Sequence, residues 1–272
     1  MTTVHFANAP LVELIAELRW NPQGTVSTPN EQVTVMMPFP GGTKLEEFFM
    51  RLGGALYQVG FQRSERLVPP GFPLLPAQAV VRYKSNDPPK SSAMFQAGAG
   101  LFSVHAIPPY HSWAKFVPFV EHGVAALLEC RNESERQQPF TELRLRYIDL
   151  FGESLIKGRG IRQFLSEVLG ISATLPDSIT RLSESKDVSS LNLLVVVPIA
   201  DGTMTINVAD GKAAGQSGIL LDTTVSSKSS TPARTDAILK RFDDAHAVIH
   251  DVFMKLTIPI QDLMKPQAEA IQ

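Results

Sequence analysis

Asp243, His246 and His250 follow one another at spacings of three and four residues, which on a helix sets them on neighbouring turns of one flank. Carboxylate and imidazole in that pattern are donors for a divalent transition metal. The same spacing also describes a polar band beside an apolar stripe, and no supporting partner for a metal centre can be picked out along the chain. The reading is therefore no metal site, with these three residues the weak candidate for one.

A second constellation is His105, Tyr110 and His111, which bracket the Pro108-Pro109 corner. Polar aromatics at the end of an element suit ligand contacts. The plainer account is a proline-set turn that Tyr110 and Trp113 pack down. A third is arginine on strand faces: Arg144 and Arg146 alternate with apolar residues and share a face with Glu142, as Arg19 does with Glu13 and Glu17. Arginine's planar fork suits an anionic partner. A salt-bridged seam or a solvated face accounts for the same residues.

Other signals are weaker. Cys130 ends a helix with no partner pattern for a nucleophile, so it reads as inert. Lys157-Gly158-Arg159-Gly160 precedes a helix, where a phosphate could sit, but the phosphate-loop and dinucleotide glycine spacings are both absent. A tight basic turn is the simpler reading. No serine elbow, zincin motif or kinase signature occurs, so the sequence favours a chain that is not an enzyme and uses no cofactor.

These residues need elements to hold them. Residues 11–20 alternate with the period of a half-buried strand, and an extended stretch follows around Val33, Val35 and Met37. Thr43 with Glu46 reads as a capping box, ahead of a helix burying Leu45, Phe48, Phe49, Leu52 and Leu56. Strands are expected at 61–68, 79–84 and 94–107, the last split into a hairpin at Gly98-Ala99-Gly100. A helix from Ser112 carries Trp113, Phe116, Val120, Val124 and Leu127 on one side and should kink at Pro118.

The order then restarts. Pro139-Phe140-Thr141-Glu142-Leu143 echoes Pro10-Leu11-Val12-Glu13-Leu14. A strand, a helix at 161–169 and strands at 191–199, 203–208 and 219–225 follow, with Asp201-Gly202 a hairpin signal. Pro232 should open a last helix that buries Ile238, Phe242, Ala245, Ile249, Val252, Phe253 and Leu256. The expectation is an α+β protein of two similar halves, 1–135 and 136–272. Each half is an antiparallel sheet on a long C-terminal helix, an order resembling helix-grip and TATA-binding-protein-like folds.

Three stretches carry a family resemblance: Asn8-Ala9-Pro10-Leu11-Val12-Glu13, Pro108-Pro109-Tyr110-His111-Ser112-Trp113 and Leu145-Arg146-Tyr147-Ile148-Asp149. Together they resemble a sporadically distributed family of uncharacterised bacterial and archaeal proteins named only by a serial identifier. In that pattern the last motif more often ends in asparagine, and Asp149 departs from it. Patchy distribution implies mobile genes, such as phage-defence or toxin–antitoxin cargo, and the resemblance transfers no activity.

With 25 basic and 27 acidic side chains the chain has a net charge of −2, which argues against affinity founded on phosphates or anionic lipid. One cysteine excludes an intrachain disulfide and a cysteine zinc cage. No basic-then-apolar leader opens the sequence, and its most apolar run, 191–199, is far short of a membrane span. A cytoplasmic binding or regulatory protein with a protein partner is expected. Two alternatives remain: a small-molecule or enzymatic pocket between sheet and long helix, lined by His105, Tyr110 or Arg146, and single-stranded nucleic acid on an open sheet.

Overall fold

The computed structural model describes residues 4–22, 42–109, 112–182, 190–213 and 215–268. In chain order the strands are β1 Val4–Phe6, β2 Leu11–Arg19, β3 Arg63–Arg66, β4 Ala79–Lys84, β5 Ala93–Gly98, β6 Leu101–Ala106, β7 Glu142–Phe151, β8 Asn192–Ile199, β9 Gly202–Ala213, β10 Gln216–Ser227 and β11 Pro266–Ala268. The helices are α1 Gly42–Gln58, α2 Trp113–Cys130, α3 Glu153–Ile156, α4 Ile161–Glu167, α5 Asp177–Thr180, α6 Thr235–Leu256 and α7 Gln261–Met264. Nine strands form one antiparallel sheet in the order β3-β4-β5-β6-β2-β7-β10-β9-β8, and β1 pairs with β11. The protein is thus α+β. The expected stretch around Val33, Val35 and Met37 lies outside the described residues, as do Tyr110 and His111.

The chain forms two compact units, one of Ile15–Leu145 with Ser226–Asp244, the other of Met1–Leu14, Arg146–Val225 and Ala245–Gln272. In the 15–145 unit, alternation along each strand selects the face that the helices cover. Ala16 and Leu18 are fully buried, and Trp20 meets Phe48 of α1 edge-on, ring centroids 6.4 Å apart. The Tyr83 hydroxyl donates to the Phe49 carbonyl at 2.8 Å. Phe95 and Phe102 stack at 5.9 Å beneath α2. A side chain on Gly123 would begin 2.5 Å from the Phe95 ring, so glycine lets α2 come down on the sheet at this point. Ser112 caps α2 by accepting from the Lys115 amide at 3.3 Å.

Two starts differ from expectation. The first helix begins at Gly42, so Thr43 lies inside its first turn instead of preceding it, and Glu46 accepts from Arg66 at 2.8 and 2.9 Å. The last helix begins at Thr235, not at Pro232. Thr231 is held in an isolated bridge to Phe140, with paired backbone bonds of 2.8 and 2.9 Å, so the chain stays extended past Pro232.

In the 146–225 unit, Phe151 packs on Phe164 of α4 at 5.0 Å, and Ile249 of α6 is buried. Asn8 donates to the Leu263 carbonyl at 3.2 Å and the Leu150 amide to the Pro10 carbonyl at 2.8 Å, which ties residues 8–10 to β7 and α7 in this unit. The basic turn at 157–160 has Lys157 and Gly158 at φ 54° and 74°. Arg159 there bonds Glu167 at 2.9 Å and the Ile156 carbonyl at 3.0 Å, a structural use of the cation.

Candidate functional site

In the 15–145 unit the strand registers define the sheet face turned away from α1 and α2. Arg82 is opposite Gln96, and Gln96 opposite Ser103. One step along, Lys84 is opposite Met94, and Met94 opposite His105. Their neighbours Tyr83, Phe95 and Val104 are the buried, helix-facing set. By the same alternation β2 contributes Ile15, Glu17 and Arg19, and β7 contributes Glu142 and Arg144.

The charges on this face are laid out in opposite-sign groups. Arg19 Nε lies 2.6 Å from Glu17 Oε1. Arg144 Nε lies 2.9 Å from Glu142 Oε1, and its Nη1 is 4.0 Å from Glu17. Arg82 and Lys84 both reach Glu65 at 3.5 Å. The arginines of these strands thus form a half-buried salt-bridged network. The Arg144 side chain keeps 36% of its exposure. Two donors, Arg82 Nε and Arg144 Nε, are buried without a hydrogen-bond partner; the Arg144–Glu142 contact is close in distance but misaligned for a bond.

His105 is on the same face but only 6% exposed, with its Nε2 2.8 Å from Ser103 Oγ. Sequence reasoning attached it to the Pro108-Pro109 corner. The structure seats it in the sheet, while Trp113 beyond the corner donates to Asp243 at 2.8 Å. Tyr110 and His111 are among the residues left undescribed.

Arg146 belongs to the other unit and forms a bidentate pair with Asp222, at 2.8 and 2.6 Å, on the exposed side of β7 and β10. On the opposite, helix-facing side is a polar cluster that sequence reasoning did not assemble. Tyr147 Oη is 2.8 Å from His246 Nδ1, and the His246 and His250 rings sit 5.6 Å apart. Burial, and then His250, lowers the His246 pKa to about 4, so its ring is neutral at pH 7. Asp149, 4% exposed on the same strand, is pushed up to about 8 by burial and then by Asp222. At pH 7 it is a neutral acid, a donor and acceptor as an asparagine amide is. Asp243 and His246 each have a partner elsewhere. Among the described residues no group of three or more His, Cys, Asp or Glu is placed to hold a metal ion.

A further buried cluster also escaped the sequence reading, which took 131–138 as a polar run. Arg131 is 1% exposed, its guanidinium 5.2 Å from the Trp20 ring and 4.6 Å from the Phe140 ring. Its Nη1 donates to the Gln138 carbonyl, and the Trp20 indole donates to Glu135 at 3.0 Å. Glu135, Trp20, Leu45 and Phe48 border an open cleft of about 560 Å³ in this unit. The described residues expected to line a pocket, His105 and Arg146, do not border it.

Among the described residues no helix is long and apolar enough to cross a membrane. Compared with known proteins, the chain matches no family model and no curated protein.

Proposed function

We propose that the protein is a non-enzymatic binding or regulatory protein whose sheet face turned away from α1 and α2 in the 15–145 unit docks another protein. The observation that carries this reading is the charge layout of that face. Arg19, Arg82, Lys84 and Arg144 each stand beside a carboxylate, Arg63 opposite Lys84 bonds the Asn86 side chain, and Met94, Gln96 and Ile15 lie between them. A phosphate backbone is gripped by unopposed cations. A mixed field instead selects a partner that offers both signs in matching places, the pattern of protein interfaces. Single-stranded nucleic acid also calls for exposed rings on which bases stack, and among the described strand residues of this face the ring, His105, is buried.

The proposal includes the architecture. The sheet order reads β3-β4-β5-β6-β2 and then β7-β10-β9-β8, so the first strand of each stretch meets the other at the middle, the next strand lies at the far edge, and later strands step back inward. That order supports two similar halves, 1–135 and 136–272, of helix-grip or TATA-binding-protein-like topology. A single buried thiol, Cys130, suits the cytoplasm, and a partner encoded in the same mobile defence or toxin–antitoxin module fits the family resemblance.

Affinity capture from lysate run beside filter binding of single-stranded DNA and RNA across a salt series tests the class of partner. A protein retained by the parent chain and lost on Arg82→Gln with Arg144→Gln is expected, with no salt-dependent nucleic-acid retention. Retention that falls steeply with salt would replace a protein partner with a nucleic acid.

A further inference from the structure

The two edges of the nine-stranded sheet are built differently. β3, at one end, reads Arg-Ser-Glu-Arg, and every residue is exposed. A charged edge repels an incoming strand and is how folded proteins keep sheet edges unpaired. β8, at the other end, reads Asn-Leu-Leu-Val-Val-Val-Pro-Ile with no charge in it. Leu194 and Val196 are 62% and 58% exposed. A long uncharged apolar strand left open in this way invites pairing.

Pro198 sets the phase of the open edge. It stands opposite Thr203 of β9 and has no amide hydrogen, so its nitrogen belongs on the side away from that ladder. Antiparallel strands alternate the direction of their backbone groups. Asn192, Leu194 and Val196, in phase with Pro198, therefore turn their amides and carbonyls to the open edge.

We propose that a second copy of this chain adds to β8 antiparallel, about a two-fold axis at Val195, so that two sheets join edge to edge. The strand is its own complement in this register. Leu194 of one copy faces Val196 of the other, and each gives and takes a backbone bond. The Asn192 amide meets the Pro198 carbonyl, which spends every outward amide and asks none of proline. A two-fold contact brings identical patches together, and an uncharged strand does so without like-charge cost. A foreign strand would need matching side chains on both faces; a second copy already has them. This contact lies in the 146–225 unit and does not rest on the partner-binding face proposed above.

Light scattering of the full chain over a concentration series into the high micromolar range tests it. The parent should approach twice the 29.8 kDa chain mass. Val196→Pro removes one outward amide and leaves the β9 ladder alone, and it should weaken association at least about tenfold. A parent that stays monomeric throughout, or a dimer that Val196→Pro leaves intact, overturns the proposal. Should Val196→Pro fail to fold, cysteine pairing decides, because Cys130 is buried. Val195→Cys should oxidise to a linked dimer and Leu193→Cys should not. Equal linking at both positions, or none at either, overturns the axis and the pairing with it.

Discussion

Asp149 and His246 make the stability of the protein depend on pH in opposite directions. His246 is held neutral with its pKa lowered to about 4, so the unfolded chain binds more protons between pH 4 and 6.5, and stability rises with pH in that window. Asp149 is held protonated with its pKa raised to about 8, so the folded chain binds more protons above about pH 4, and stability falls as pH rises toward 8. Each group changes stability by up to about 1.4 kcal/mol per pH unit within its window. The two slopes oppose one another from pH 4 to 6.5, leaving a plateau there and a decline from 6.5 to 8. Denaturant melts across pH should show this shape. Asp149→Asn should abolish the decline and exceed the parent in stability at pH 8; a decline that persists in the variant refutes the assignment. A protonated acid at position 149 donates and accepts as an asparagine amide would. None of this was legible in the sequence, because alternation tells which face a residue is on and not how deeply that face is covered.

Elements were the more readable scale, because period and punctuation are local. The hairpin at 98–100, the β4 strand and the start of α2 near Ser112 all came from neighbours in sequence. Reading failed where a distant residue decides. Pro232 does not start α6 because Phe140 holds Thr231, and the polar run 131–138 sends Arg131 and Glu135 into the interior because Trp20 and Phe140 receive them. Replacing Trp20 by Phe keeps the ring contacts but removes a donor from the buried Glu135 carboxylate; a loss of about 1–2 kcal/mol in chemical denaturation is expected. Gly123 marks where α2 approaches the sheet most closely. Gly123→Ala gains up to about 1 kcal/mol of helix propensity and loses about 1–3 kcal/mol to overpacking. The variant should therefore melt lower; a higher melting temperature would mean the Phe95 ring moves aside freely.

For the molecule as a whole, the strand faces mattered more than the candidate catalytic groups. The residues singled out for metal chemistry divide between separate hydrogen bonds, Asp243 with Trp113 and His246 with Tyr147. Of those singled out for contact, Arg19 and Arg144 lie in one half-buried network, Arg146 pairs with Asp222 apart from it, His105 is buried, and Tyr110 and His111 lie outside the described residues. Sequence spacing exposed the strand periodicity behind that network and set Arg19 beside Glu17 and Arg144 beside Glu142, but not the approach of Arg144 to Glu17, which joins strands far apart in the chain. Calorimetric titration of the captured protein into the parent and into Arg82→Gln with Arg144→Gln is the most direct measurement of what that network does. The account predicts a dissociation constant at least about tenfold higher for the double variant, as for interface charges whose partners are left unpaired, and no change for Lys255→Gln on α6. Equal affinity for parent and double variant, with both chains folded, would contradict it.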